Sequence, residues 1–149
     1  MTLRTYLPTY TIERTFAGSV EKLWWMWTTK EGLALWYWPP PLVANVLHVD
    51  VRVGGSYEIA AIGMTHTSRG TYLEVVPMKR LVSRAIIDFL PDLEPYERLD
   101  DIEFFEAPNN HARMTFTSTR MHDELWQGRS LAGFTASLDK IDRALAAGL

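Results

Sequence analysis

Between Thr9 and Phe16 the side chains alternate, with Tyr10, Ile12 and Arg14 on one face and Thr11, Glu13 and Thr15 on the other. A period of two with β-branched and aromatic content predicts a strand. The period then lengthens. Val20, Leu23, Trp24 and Trp27 follow i, i+3, i+4, i+7, the apolar face of a short helix over residues 20–28. Ser19 precedes it as an N-cap, with Lys22 standing where a capping box would place Glu. A second helical turn from Lys30 to Tyr37 carries Leu33 and Trp36 and is stopped by Pro39-Pro40-Pro41.

From residue 43 to residue 120 the pattern is almost entirely that of strands. Val43 to Val53 alternates weakly, Gly54-Gly55 marks a turn or bulge, and Ser56 to Ile62 reads as the next strand. Gly63 opens a turn, His66 to Val76 follows, and Arg80 to Phe89 is a long apolar strand. Leu90 to Pro95 is an acidic, proline-broken loop. Asp101 to Glu106 and Ala112 to Arg120 pair across the turn Ala107-Pro108-Asn109-Asn110. The last segment changes period again: Leu131, Phe134, Leu138, Ile141 and Leu145 form the apolar stripe of one long helix. Asp139 and Arg143 are spaced for an i, i+4 pair, and Gly148 is placed to cap the end. Antiparallel hairpins with one long terminal helix predict an α+β fold, the helix lying across the concave face of a curved sheet. Wherever facing side chains fail to meet, such a grip leaves a hollow.

Length and composition narrow the classes. A chain of 149 residues with 47% hydrophobic and 22% charged residues is the size and make-up of one folded domain, here residues 1–149. Net charge is −3, without a basic block, which argues against a nucleic-acid partner. No apolar run is long enough for a membrane span. The opening residues lack the apolar core of a signal peptide, so the expected location is cytoplasmic. With no cysteine there is no disulfide, thiolate nucleophile or Cys-based metal site. The oddity is tryptophan: five of six, Trp24, Trp25, Trp27, Trp36 and Trp38, fall within fifteen residues. Each has roughly 200 Å² to bury, so the group fills a core or lines a cavity.

Several words along the chain stand in a recognisable order. They are Tyr10 to Phe16, Val20 to Trp24, Leu35-Trp36-Tyr37-Trp38-Pro39, Val51 to Tyr57, Gly70 to Pro77 with Arg80-Leu81-Val82, and Ala132-Gly133-Phe134 with Leu138. Over residues 10–146 the sequence resembles the Hsp90-ATPase-activator homologue (AHSA1-like) family of the START/Bet v 1-like (SRPBCC) superfamily. The resemblance implies a helix-grip fold: a seven-stranded antiparallel sheet, two short helices, and a long C-terminal helix enclosing a cavity. It departs from the family in Phe134 for the usual Trp, in the extra Trp25 and Trp27, and in a longer, more acidic loop from Pro91 to Leu99. The superfamily includes lipid carriers, plant ligand binders, polyketide cyclases and chaperone activators, so the fold does not select the function.

Candidate chemistry is sparse. His48, His66, His111 and His122 have no metal-ligand spacing, and no phosphate loop or nucleophile elbow is present, so no metal and no cofactor are expected. His66 and Arg69 belong to a strand bordering the cavity, but a separation of three puts them on opposite faces unless a bulge intervenes. Arg84 and Asp88 share what reads as a wet face. Glu58, Glu74 and Glu103 are strand carboxylates whose pairing the sequence leaves open. Trp24 and Trp36 read as core, while Trp27 and Trp38 are candidates to line the cavity. Met114 and Phe116 alternate onto one face, and Met64, Phe134, Leu138 and Tyr57 join them as candidate ligand contacts, with His66 and Arg69 as polar ones.

Three readings follow. The first is a binding module holding a small lipophilic or aromatic molecule, as carrier, sensor or sequestering protein. The second is a cyclase-like enzyme using acid–base chemistry on such a ligand, with His66, Glu58 or Arg69 as the titratable group. The third is a protein-interaction module; the lysine-rich docking word of a chaperone activator is missing, and a homodimer through Trp25 or Trp38 is its milder form.

Overall fold

The computed structural model describes residues 8–149. The first seven residues of the expected domain, and with them part of the segment read for a signal peptide, lie outside the described residues. The elements are β1 (Thr9–Phe16), α1 (Val20–Thr28), α2 (Lys30–Ala34), β2 (Ala44–Val49), β3 (Ser56–Ala61), β4 (Thr67–Val76), β5 (Arg80–Ile87), β6 (Tyr96–Ala107), a 3-10 turn (Pro108–Asn110), β7 (His111–Thr119) and α3 (Glu124–Ala146). All seven strands form one antiparallel sheet in the order β1-β7-β6-β5-β4-β3-β2. The helical pair α1–α2 carries the chain from one edge strand to the other, and α3 returns across the concave face. This is the helix-grip arrangement that the resemblance implies.

Local signals explain most boundaries. The Ser19 hydroxyl accepts from the Lys22 amide at 3.1 Å and caps α1. Thr29 ends α1 and, by accepting from Gly32 N at 3.0 Å, starts α2. Gly32 lets the two helices meet, since a Cβ there would lie 2.3 Å from the Trp25 carbonyl oxygen. Asn109 and Asn110 take the left-handed conformation that turns β6 into β7. Asp123 caps α3 through Trp126 N, and Gly148 leaves it with φ +91°.

Four expectations are corrected. The second helix ends at Ala34, three residues short of Tyr37. Strand β6 starts at Tyr96, not Asp101, because its inward residues there, Arg98 and Asp100, are charged and hide the apolar alternation. Asp139 does not pair with Arg143; it and Asp142 both accept from the Arg14 guanidinium, which reaches up from β1. Leu131 is 38% exposed, beyond the reach of the sheet, while Leu138 and Ile141 are fully buried.

One end of the concave face is solid. Phe16, Leu23, Met26, Met114, Leu138 and Ile141 pack there with no more than 1% exposure. Toward the other end the packing between α3 and the sheet opens.

Candidate functional site

That opening is a cavity of about 340 Å³. Trp27, Leu33 and Trp36 from the short helices close one side, and the segment after α2 adds Tyr37, Trp38, Pro39 and Leu42. The sheet supplies the floor from β3 to β7, and α3 supplies the roof with Trp126, Gly133, Phe134 and Ser137. The walls are aromatic and in mutual contact. Trp27 lies 4.6 Å from Trp36 and 6.4 Å from Phe134, and Phe134 lies 4.4 Å from Phe116, all between ring centroids. At the rim, His66 stacks on Phe89 at 4.4 Å with the rings 14° apart, and Trp38 meets His66 edge-on at 6.1 Å.

Trp38 holds an unusual backbone. Its φ is +81°, a region that side chains with a Cβ rarely occupy and that is retained only when surrounding structure enforces it. Here the enforcement is visible: Lys140 Nζ on α3 donates to the Trp38 carbonyl at 2.9 Å and to that of Leu42 at 3.1 Å. Burial, and then the charge of Arg143, lower the pKa of Lys140. The Trp36 indole donates to Met26 O at 2.8 Å, whereas the buried indole N–H groups of Trp27 and Trp38 have no partner among the described residues.

The floor is polar in one place. Arg98 Nε and Nη2 donate to the two oxygens of Asp100 at 2.9 and 3.0 Å, and Ser118 Oγ donates to Asp100 Oδ1 at 2.6 Å. The pair is well covered, with side-chain exposures of 19% for Arg98 and 8% for Asp100. Burial opposes the charge on Arg98, but the adjacent Asp100 charge and its hydrogen bonds outweigh burial and raise the guanidinium's pKa. Sheet register explains the placement. Tyr10 opposes Ser118, Ser118 opposes Asp100, Asp100 opposes Ser83 and Ser83 opposes Tyr72, which makes one polar row across five strands. In the neighbouring row Arg98 opposes Ala85, Ala85 opposes Gly70 and Gly70 opposes Tyr57. Gly70 is required there: an added Cβ would lie 2.8 Å from both Cε2 and the hydroxyl of Tyr57, whose ring lies over it. Tyr37 bonds Ser68 Oγ at 2.6 Å. Burial pushes the phenol pKa values of Tyr37, Tyr57 and Tyr72 upward, so all three are neutral hydroxyls.

Of the candidate contacts, Trp27, Trp38, Tyr57, His66, Phe116 and Phe134 border the cavity. Four do not. Met114 and Leu138 are fully buried in the solid end. Met64 sits in the turn before β4, and Arg69 points out of the opposite sheet face to pair with Asp88. The alternation of an unbulged strand start separates it from His66, as the spacing of three requires. Glu58 is on that outer face too, accepting from Thr67 Oγ1 at 2.7 Å, and Glu74 lies near Arg80 at 3.8 Å. Of the three acid–base candidates, then, His66 alone borders the cavity. Sequence reasoning missed Arg98, Asp100, Tyr37 and Tyr72. The alternation Tyr96, Arg98, Asp100, Ile102, Phe104 carried the signal, once β6 is begun at Tyr96.

Trp25 is 37% exposed, the surface indole of the cluster, while Trp38 faces the cavity. Among the described residues no three His, Asp or Glu side chains converge where a metal could sit, and no helix is long and apolar enough to cross a membrane.

Solved structures share this architecture. Protein CV1439 from Chromobacterium violaceum superposes with a TM-score of 0.78 at 24% identity, over 91% of this chain and 95% of that one. Ms6760 from Mycobacterium smegmatis gives 0.78 at 20% identity, over 95% and 92%. The AHSA1 (SPO3351) protein from Silicibacter pomeroyi gives 0.75 at 20% identity, over 95% and 100%. At these identities the likeness is one of fold. No curated protein matches the chain. The family profile described as Activator of Hsp90 ATPase homolog 1-like protein matches residues 17–146, nearly the whole helix-grip domain, and the chain belongs to that family.

Proposed function

We propose that this protein binds a small, mainly apolar or aromatic molecule in the cavity beneath α3, as a carrier, sensor or sequestering protein. The observation that carries the reading is the cavity itself: about 340 Å³, walled by Trp27, Trp36, Trp38, Phe116 and Phe134, with the covered Arg98–Asp100 ion pair on its floor and few other polar groups. Ligand pockets have this character, an apolar lining with a few placed polar groups. A dry cavity of roughly 150 Å³ accepts a single benzene, so this one has room for about two fused rings. Closing it with side chains would have been more stabilising than leaving it, because a void forfeits the dispersion contacts of its lining.

The test combines mass spectrometry of the freshly purified protein, native and denatured, with tryptophan emission and melting temperature. The probes are naphthalene, tetralone and decanol. Saturable quenching and a raised Tm are expected, because four of the six tryptophans border the cavity. A clean apo mass together with no response to any probe would reject the reading.

A further inference from the structure

Resting on that reading, we infer that the ligand is a neutral fused-ring or aromatic molecule with one hydrogen-bond-accepting oxygen, a ring ketone or phenol, seated between the Arg98 guanidinium and the Tyr57 hydroxyl. The first ground is the cost of what lies there. An ion pair on the concave face must be desolvated, and apolar residues of the same size would serve stability as well or better. Arg98 and Asp100 are nevertheless installed side by side on β6, facing the cavity, and Ser118 completes the carboxylate's bonding.

The second ground is geometric. Arg98 spends Nε and Nη2 on Asp100, and its Nη1 has no partner among the described residues. Tyr57 Oη likewise makes no hydrogen bond to them, and its ring lies across Gly70 in the same cross-strand row. Between Arg98 and Tyr57 that row contains only Ala85 and Gly70, the two smallest residue types. With the Tyr57 ring laid over Gly70, its hydroxyl and Arg98 are separated in that row only by the methyl group of Ala85. A carbonyl or phenolic oxygen has the two lone pairs to accept from both.

Charge then selects among oxygens. Asp100 already neutralises Arg98, so a carboxylate entering between Arg98 and Tyr57 would be a second anion beside Asp100 in a poorly solvated place. The other cation bordering the cavity, Arg129, is an exposed rim residue stacked 5.2 Å from the Trp126 ring centre and does not reach the floor. A neutral phenol at Tyr57, kept so by burial, donates without adding charge.

The probes are tetralin, tetralone and tetralin carboxylate, which share one ring frame and differ in the oxygen. Affinities come from tryptophan quenching or calorimetry. Tetralone is expected to bind at least about tenfold tighter than tetralin, the effect of one hydrogen bond to a charged donor, and the carboxylate more weakly than tetralone. In Tyr57→Phe the ketone advantage falls about threefold or more, the loss of one neutral hydrogen bond, while tetralin binding is retained. Arg98→Met alone strands Asp100, so the companion variant is Arg98→Met with Asp100→Leu, which also loses the ketone advantage and keeps tetralin. Equal affinity of tetralin and tetralone overturns this inference and leaves the cavity reading standing. Tightest binding by the carboxylate overturns the neutral class. An advantage that survives both variants overturns the assignment to Arg98 and Tyr57. If neither tetralin nor tetralone binds, the cavity reading and this inference fall together.

Discussion

The two ends of the concave face are built from the same strands and covered by the same helix, yet one is solid and the other hollow. At the solid end β6 and β7 turn Phe104, Ala112 and Met114 inward, and α1 and the second half of α3 press down on them. At the hollow end the same two strands present Arg98, Asp100, Phe116 and Ser118, and their neighbours Ala85 and Gly70 are too small to reach the roof. The cavity follows from side-chain volume and polarity at a few register positions, with no change of backbone plan. Packing density at the solid end supplies the stability that lets the other end stay open.

This contrast can be broken most sharply at Asp100. Asp100→Ala leaves Arg98 buried without its carboxylate and is expected to cost about 3–5 kcal/mol, whereas the Arg98→Met, Asp100→Leu double variant should stay within about 1–2 kcal/mol of the parent. Urea unfolding measures both, and a mild single variant would mean that the pair is better solvated than its 8% and 19% side-chain exposures indicate. Next comes Leu138→Ala at the solid end, expected to cost about 2–5 kcal/mol while probe affinity is unchanged.

Enlarging a small residue should have opposite consequences at the two ends. Ala112→Leu, at a site with 0% exposure, overpacks and costs about 1–3 kcal/mol. Ala85→Leu grows into the cavity, costs less than about 1 kcal/mol, and abolishes tetralone binding. Equal Tm losses in the two variants would show that the hollow end is as rigidly filled as the other.

Alkaline pH acts on the hollow end through its phenols. Tyr37, Tyr57 and Tyr72 have folded pKa values raised above the ordinary 10.0 by burial. The contribution of a raised group is complete below the unfolded pKa and is lost as pH rises toward the folded one. Tm should therefore hold up to about pH 9 and fall above about pH 10, with tyrosinate absorbance from these residues appearing together with unfolding. Tyrosinate that forms fully in the folded protein near pH 10 would contradict the burial. The smallest effect is expected where α3 is tied to β1. Asp139→Asn removes one of two carboxylates on Arg14, and with Asp139 half exposed the loss is about 0–1 kcal/mol by urea unfolding.

The elements of this fold were legible because each carries its own period. Thr9–Phe16 alternates, Val20–Thr28 has a capped apolar face, and the stripe through Leu138, Ile141 and Leu145 specifies a long helix docked on one side. Periodicity is a local property, so the sequence alone determined element type, order and the α+β class, and the family words agreed with it. The aromatic half of the cavity wall was legible for a related reason: five clustered tryptophans exceed what one core can use. The polar half was not. Arg98 and Asp100 read as a wet, irregular stretch, and only pairing with β5 and β7 turns them inward beside Ser118. The juxtaposition of Arg98 and Tyr57 is less legible still, since residues 57, 70, 85 and 98 come from four strands. Register is set by long-range pairing, and a shift of one residue would send every one of those side chains to the other face. What tertiary structure decided is therefore which ordinary residues share a row, and that decides what the cavity can hold.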